Sequence, residues 1–258
     1  MSTAATGMAA QQTNLDVIAN NLANVNTTGF KSERAEFQDL MYQTYRGSGA
    51  TTGSATTEPV AMQVGLGSQF SSTGTDFTTG SMQQTGNVLD MAINGSGFFR
   101  VELPDGTLAY TRDGSFKSDS TGLMVTSDGY KLADEIVLPP GVTALTIGAN
   151  GTVTGIKPGD KDPSTLGQIT TATFPNPSGL TRMGQNLFLQ GGASGDATVG
   201  NPGDNGAGTI QSGYLEGSNV QVVDEMVKMI MAQRAYEINS KAIQTGDQML
   251  STLDQLKQ

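Results

Sequence analysis

The side chains of this chain that could do chemistry are its carboxylates, because the 258-residue sequence holds no histidine and no cysteine. That inventory excludes Ser-His and Cys-His nucleophile pairs, thiolate chemistry, ordinary zinc sites and a disulfide framework. Paired carboxylates remain able to cleave glycosidic bonds. Glu33, Glu36 and Asp39 stand at helical spacing, and Asp224-Glu225 open a stretch of helical periodicity. Charges so placed read first as a solvated face, and the chain has no tryptophan to line a cleft around an acid. Asp105-Gly106, Asp113-Gly114 and Asp128-Gly129 lack the alternating acids and closing glutamate of a calcium loop. Asp-Gly is instead the short-range signature of a hairpin turn. Gly95-Ser96-Gly97 lacks the third glycine of a dinucleotide fingerprint and runs into a strand-like Phe98-Phe99. The residues therefore predict no catalytic group, no metal and no cofactor. A formal charge of −10 supplies no phosphate-neutralising face, which excludes nucleic acid.

The elements that would position any site divide sharply along the chain. Of 34 glycines, only Gly7, Gly29 and Gly246 lie outside Gly47–Gly217, and all nine prolines fall between Pro59 and Pro202. Both types break helices and punctuate turns. The distribution predicts an α+β chain with long N- and C-terminal helices and an inserted all-β domain of short antiparallel strands. In the first helix Leu15, Ile18, Leu22 and Val25 step by three, four and three, an a/d seam. Thr27-Thr28-Gly29 ends that helix near Asn26. In the last, Ser218 and Gln221 form a capping box, and Asp224 and Glu225 follow at the positive end of the helix dipole. Its seam runs through Val220, Val223, Val227, Ile230, Ile238 and Met249, in one helix of about 35 to 40 residues.

Between the helices, turns at Pro104-Asp105-Gly106, Asp113-Gly114, Gly122 and Asp128-Gly129 punctuate a run of hairpins from Phe98 to Leu132. Further short strands are predicted at Leu145–Ile147, Gln168–Phe174 and Asn186–Gln190. Gly47–Gly53 reads as a flexible connector and Gly191–Gly208 as a mobile surface loop. The domain division is a terminal helical assembly domain at 1–70 and 211–258, extended at about 30–70, and a β-rich domain at 71–210. No apolar run reaches the ~20 residues that span a bilayer. The first residues lack a basic and apolar leader, which predicts no cleavable signal peptide and no direct membrane insertion. Two narrow seams cannot bury each other alone, so Leu15, Ile18, Leu22, Val25, Val223, Val227, Ile230, Ile238 and Met249 are predicted to meet other copies of the chain.

Particular motifs add a family resemblance. The stretch 19–31, with Asn20, Asn21, Asn24, Gly29, Phe30 and Lys31, resembles the N-terminal signature of bacterial flagellar rod and hook proteins. The stretch 232–242, with Gln233, Arg234, Tyr236 and Asn239, resembles their C-terminal signature, and 93–99 and 110–116 match their middle. Tyr42–Gly67 resembles the stretch that sets the rod apart from the hook. Its edge residues Tyr42, Tyr45, Val64 and Leu66 are predicted to pack between subunits and stiffen a polymer. The resemblance implies a structural subunit, not an enzyme, stacking helically into a rigid hollow drive shaft. Coiled-coil-like helices would line its export channel, and the β-domain would face outward. It also implies the partners: further copies, proximal rod proteins, the hook protein, surrounding ring proteins and the flagellar type III export apparatus. The place implied is the basal body, spanning the periplasm. A proximal rod subunit or hook-type protein of the same axial family, or a secreted filament subunit or adhesin, is the alternative.

Overall fold

The computed structural model describes residues 2–46, 51–53, 56–57, 61–141, 144–156, 162–204 and 206–256. The chain divides into two compact units. A helical unit holds Met1–Ala23, Glu33–Gly74 and Gln221–Gln258, and a β unit holds Asn24–Ser32 and Thr75–Val220.

The helical unit is built on α1 (Ser2–Ala23) and α2 (Val222–Leu256). Neither contains proline, and α2, at 35 residues, is about 52 Å long. The first helix stops three residues before Asn26. Asn24 and its neighbours offer the backbone other partners: the Asn24 carbonyl accepts from the Thr27 amide at 3.1 Å. The predicted capping box at the start of α2 does not form. Ser218 Oγ accepts from the Val220 amide at 3.2 Å, a local turn, and the first helical bond runs from the Glu225 amide to the Gln221 carbonyl at 3.0 Å. Asp224 and Glu225 still occupy the first turn.

The rest of this unit is extended. Glu33–Asp39 pairs with Ser68–Thr75, and Tyr42–Arg46 pairs antiparallel with Met62–Gly65, Tyr42 opposite Gly65 and Gln43 opposite Val64. The helical spacing of Glu33, Glu36 and Asp39 thus belongs to a strand. Cross-strand pairing overrides it, with Ser72 Oγ donating to Glu36 Oε2 at 3.0 Å. Of the predicted connector Gly47–Gly53, residues 47–50 lie outside the described residues, while Thr51–Gly53 is a strand paired with Thr56–Thr57.

In the β unit the sheet order is Lys117–Ser118, Met124–Val125, Lys131–Leu132, Phe98–Glu102, Leu108–Thr111, Leu187–Leu189, Thr181–Gly184. Thr171–Thr173 also pairs with Phe98–Glu102 and carries Thr198–Gly200. Successive strand residues point to opposite faces, so adjacent Phe98 and Phe99 feed two different cores. Phe99 and Val101 join Phe116, Met124, Leu132, Val153 and Ile169; Phe98 joins Tyr110, Phe174 and Phe188.

The turns at Asp105-Gly106, Gly122 and Asp128-Gly129 form as predicted, each closed by a bond from the glycine amide three residues back. Asp113-Gly114 is not a hairpin turn: Asp113 Oδ1 accepts from the Ser115 amide at 3.0 Å, a local side-chain turn. A Cβ on Gly114 would stand 1.6 Å from the Met91 carbonyl oxygen, so this glycine serves close backbone approach. Within the predicted loop 191–208, whose residue 205 lies outside the described residues, Thr198–Gly200 is a strand, and Ser194 is buried with Oγ donating to the Gly191 carbonyl at 2.7 Å.

Candidate functional site

In the helical unit, two close approaches fix how the helices run. Asn21 lies beside Glu225, and Gly7 lies beside Asn239. Equal steps along both helices in opposite directions make the pair antiparallel. The less exposed positions of α2 recur at Glu225, Met229, Ala232, Ala235, Asn239, Ile243 and Gly246, one stripe at three- and four-residue steps. The face toward α1 is therefore mostly small and polar. Ala10, Ile18 and Asn21 are the buried residues of α1, with Leu15 and Leu22 half-buried. Apart from Met229 and Ile243, the large apolar side chains of α2 lie elsewhere on its circumference. Val223, Val227, Ile230, Ile238 and Met249 remain 73%, 51%, 56%, 66% and 61% exposed. A long apolar stripe left in water is the mark of an interaction surface. Tyr42, Tyr45 and Val64 on the paired strands are exposed as well, with Met41, Met62 and Leu66, which directly follows the second strand.

Asn21 anchors this unit. Its Oδ1 accepts from the Glu33 amide at 2.9 Å and its Nδ2 donates to the Glu33 carbonyl at 2.8 Å, so one side chain imitates a strand neighbour. The same Nδ2 lies 3.4 Å from Glu225 Oε2, while Glu225 Oε1 accepts from Lys228 Nζ at 2.7 Å.

The β unit contains a buried ionic node. Lys31 Nζ donates to Glu216 Oε1 at 2.5 Å and to the Thr78 carbonyl at 2.7 Å. Arg112 Nη1 lies 3.3 Å from Glu216 Oε2, and its Nη2 donates to the Gly95 carbonyl at 2.8 Å. The Gly80 amide also donates to Glu216 Oε1, at 3.0 Å. Burial strips the Lys31 ammonium of water and holds its pKa below the ordinary lysine value, with the Glu216 carboxylate pulling the other way. Burial lowers the Arg112 pKa for the same reason. Gly29 makes room for the node. It has φ +67°, its amide donates to the Glu216 carbonyl at 2.8 Å, and a Cβ there would stand 2.5 Å from the Asp113 nitrogen. Phe30 is buried under the Arg182 guanidinium, 5.2 Å from its ring centre.

The structure thus separates the motif residues by role. Asn21, Gly29, Phe30 and Lys31 are buried anchors; Asn24 is half-buried and accepts from Thr27 Oγ1; Asn20 is exposed. On α2, Asn239 faces α1, whereas Gln233, Arg234 and Tyr236 point outward and Arg234 pairs with Glu237 at 3.2 Å. Val25 lies past the end of α1 and is half-buried. Sequence reasoning missed Glu216, which sits 185 residues from Lys31 and in no local pattern. Arg112 was visible only as part of a motif.

Three family models match the chain. The flagella basal body rod protein model covers residues 1–31, the flagellar hook protein FlgE/F/G D1 domain covers 92–155, and the flagellar basal body rod FlgEFG protein C-terminal model covers 211–256. Lys31, Arg112 and Glu216 fall one in each. The chain is 51% identical to flagellar basal-body rod protein FlgG of Borreliella burgdorferi, across 99% of this chain and 97% of that one. It is 46% identical to FlgG of Caulobacter vibrioides, across 100% and 98%. Against flagellar basal-body rod protein FlgF of the same organism the identity is 36%, across 88% and 84%. Within one organism, then, the likeness is greater to the FlgG relative.

Proposed function

The chain belongs to the flagellar basal-body rod family, and from that premise we propose that it polymerises helically into a rigid, hollow drive shaft. It is a structural subunit of the distal rod in the flagellar basal body, and not an enzyme. The exposed apolar stripe of α2 supports the polymer reading. Val223, Val227, Ile230, Ile238 and Met249 have no place in the contact with α1 and are free to pack against the helices of other copies. Assembly in a coiled-coil-like arrangement around a central channel would bury them, at roughly 25 cal/mol per Å² of apolar area removed from water. The shaft crosses the periplasm, transmits torque to the hook, joins proximal rod proteins and turns within ring proteins. Its subunits leave unfolded through the flagellar type III export apparatus. The assembly domain, expected at 1–70 and 211–258, comprises the helical unit, and the β-rich domain, expected at 71–210, the β unit, which also takes in 24–32 and 211–220.

Stiffness is assigned to the paired strands. Tyr42, Tyr45, Val64 and Leu66 form contacts between adjacent subunits, because close-packed interfaces hold discrete arrangements and resist sliding. Replacing all four with serine should leave polymers that are curved in electron micrographs, and straight ones would place stiffness elsewhere.

The central experiment is Ile230→Asp and Val227→Asp in the full chain. Each buries an unpaired carboxylate only on assembly, a cost of several kcal/mol. Unchanged monomer melting with loss of rods and swimming is expected. Normal rods in both variants would overturn the polymer reading.

A further inference from the structure

We propose that Glu216 is a positioning residue that sets the register in which residues 29–32 lie beside residues 216–219. Its ion pair with Lys31 contributes specificity to that crossing more than net stability. At these two segments the chain leaves the β unit, after Ser32 into the strand Glu33–Asp39 and after Val220 into α2.

The segments are joined by bonds that depend on register. The Gly29 amide donates to the Glu216 carbonyl at 2.8 Å, and the Ser32 amide donates to Asn219 Oδ1 at 2.7 Å. Asn219 Nδ2 in turn reaches the Asp76 carbonyl at 2.9 Å, and the Gly217 amide reaches the Ser81 carbonyl at 2.8 Å. A slip of one residue would set Phe30 or Ser32 against the carboxylate and carry Lys31 to the other face of the segment. That error strands a charge among side chains with no water, which is far costlier than losing a surface contact. Removing the pair altogether is a different matter. Desolvation of Lys31 and Glu216, both fully buried, opposes their attraction and leaves little net stabilisation. The two apolar clusters already hold the unit together. A buried ion pair that adds little to stability yet penalises every other alignment acts on alignment.

The test is a charge-balanced double variant of the full chain, Lys31→Met with Glu216→Gln. It keeps the node's net charge of +1, as in the parent, and leaves Arg112 its Gly95 carbonyl. Glu216→Gln alone leaves two buried cations without an anion and should show the lowest melting temperature, and the double variant should recover most of that loss. Hydrogen exchange should then rise about tenfold or more at the Gly29 and Ser32 amides, while the sheet amides of Val101 and Ala109 keep their protection. Parental protection at Gly29 and Ser32 in the double variant would show that packing alone sets the register. A double variant that melts as low as Glu216→Gln would show that the pair is there for stability. Either result overturns the proposal.

Discussion

The β unit and the helical unit solve opposite problems with the same residue types. In the β unit the large apolar side chains point inward, and Phe98, Phe99, Phe116 and Phe188 are nearly inaccessible. In the helical unit the contact between helices is built mostly from Ala10, Ile18, Asn21, Glu225 and Ala232, and most large apolar side chains of α2 point out. One unit carries its stability within the chain. The other keeps most of its apolar area for something else. The difference teaches where mutations will register: as unfolding in the β unit, and as failed assembly on the outer face of α2.

Phe99→Ala should break that comparison most visibly. The ring is buried on the inner face and stacks edge-on against Phe116 at 5.2 Å. Its removal should cost about 3–5 kcal/mol and lower the melting temperature of the isolated chain. The matched substitution Ile230→Ala should change monomer melting by less than about 0.5 kcal/mol. Equal losses from the two would mean that α2 is as self-contained as the sheet.

The next effect belongs to Gly29→Ala. Its φ of +67° and the proximity of the Asp113 nitrogen penalise any side chain, with an expected loss of about 2–4 kcal/mol. The substitution should slacken the ionic node, read as faster exchange of the Gly29 amide. A variant melting with the parent would show that the segment can move aside freely. Asn21→Ala is smaller. It deletes both bonds to the Glu33 backbone, an expected about 1–3 kcal/mol, confined to the helical unit. Exchange should rise at Glu33 while the β sheet is unaffected; protection retained at Glu33 would show that the strand pairing suffices there.

How much of this could be read from residues follows from the range over which each signal acts. The apolar stripe of α2 was legible because Val223, Val227 and Ile230 repeat within two turns. The hairpin at Pro104-Asp105-Gly106 was legible because its chemistry is local. The face of α2 that meets α1 was not, since Glu225, Ala232 and Asn239 carry no hydrophobic period. Glu33, Glu36 and Asp39 mimicked a helix because their strand partner lies some 35 residues on, in Ser68–Thr75. Asp113-Gly114 has the same letters as a true turn, and only the fold reveals that its glycine admits Met91. Glu216 was invisible for the same reason: its partners Lys31 and Arg112 lie 185 and 104 residues away along the chain.

The smallest effect tests the electrostatics of the node by pH. Burial lowers the Lys31 pKa from 10.5, so between its folded value and 10.5 the unfolded chain binds more protons than the folded one. Stability contributed through Lys31 must therefore rise with pH across that window, by at most about 1.4 kcal/mol per pH unit. Below the folded value the cost of burying the ammonium is fully present, and above 10.5 it is gone. Other lysines and tyrosines titrate in the same range, so the measured quantity is a difference. Denaturant midpoints of the parent and of the variant carrying both Lys31→Met and Glu216→Gln are compared from pH 8 upward. The parent should gain on the variant as pH rises. A parent that instead loses ground would mean that Glu216 holds the ammonium more tightly than burial releases it. The node would then be a stabilising pair, more like the apolar core around it than the polar seam between the helices.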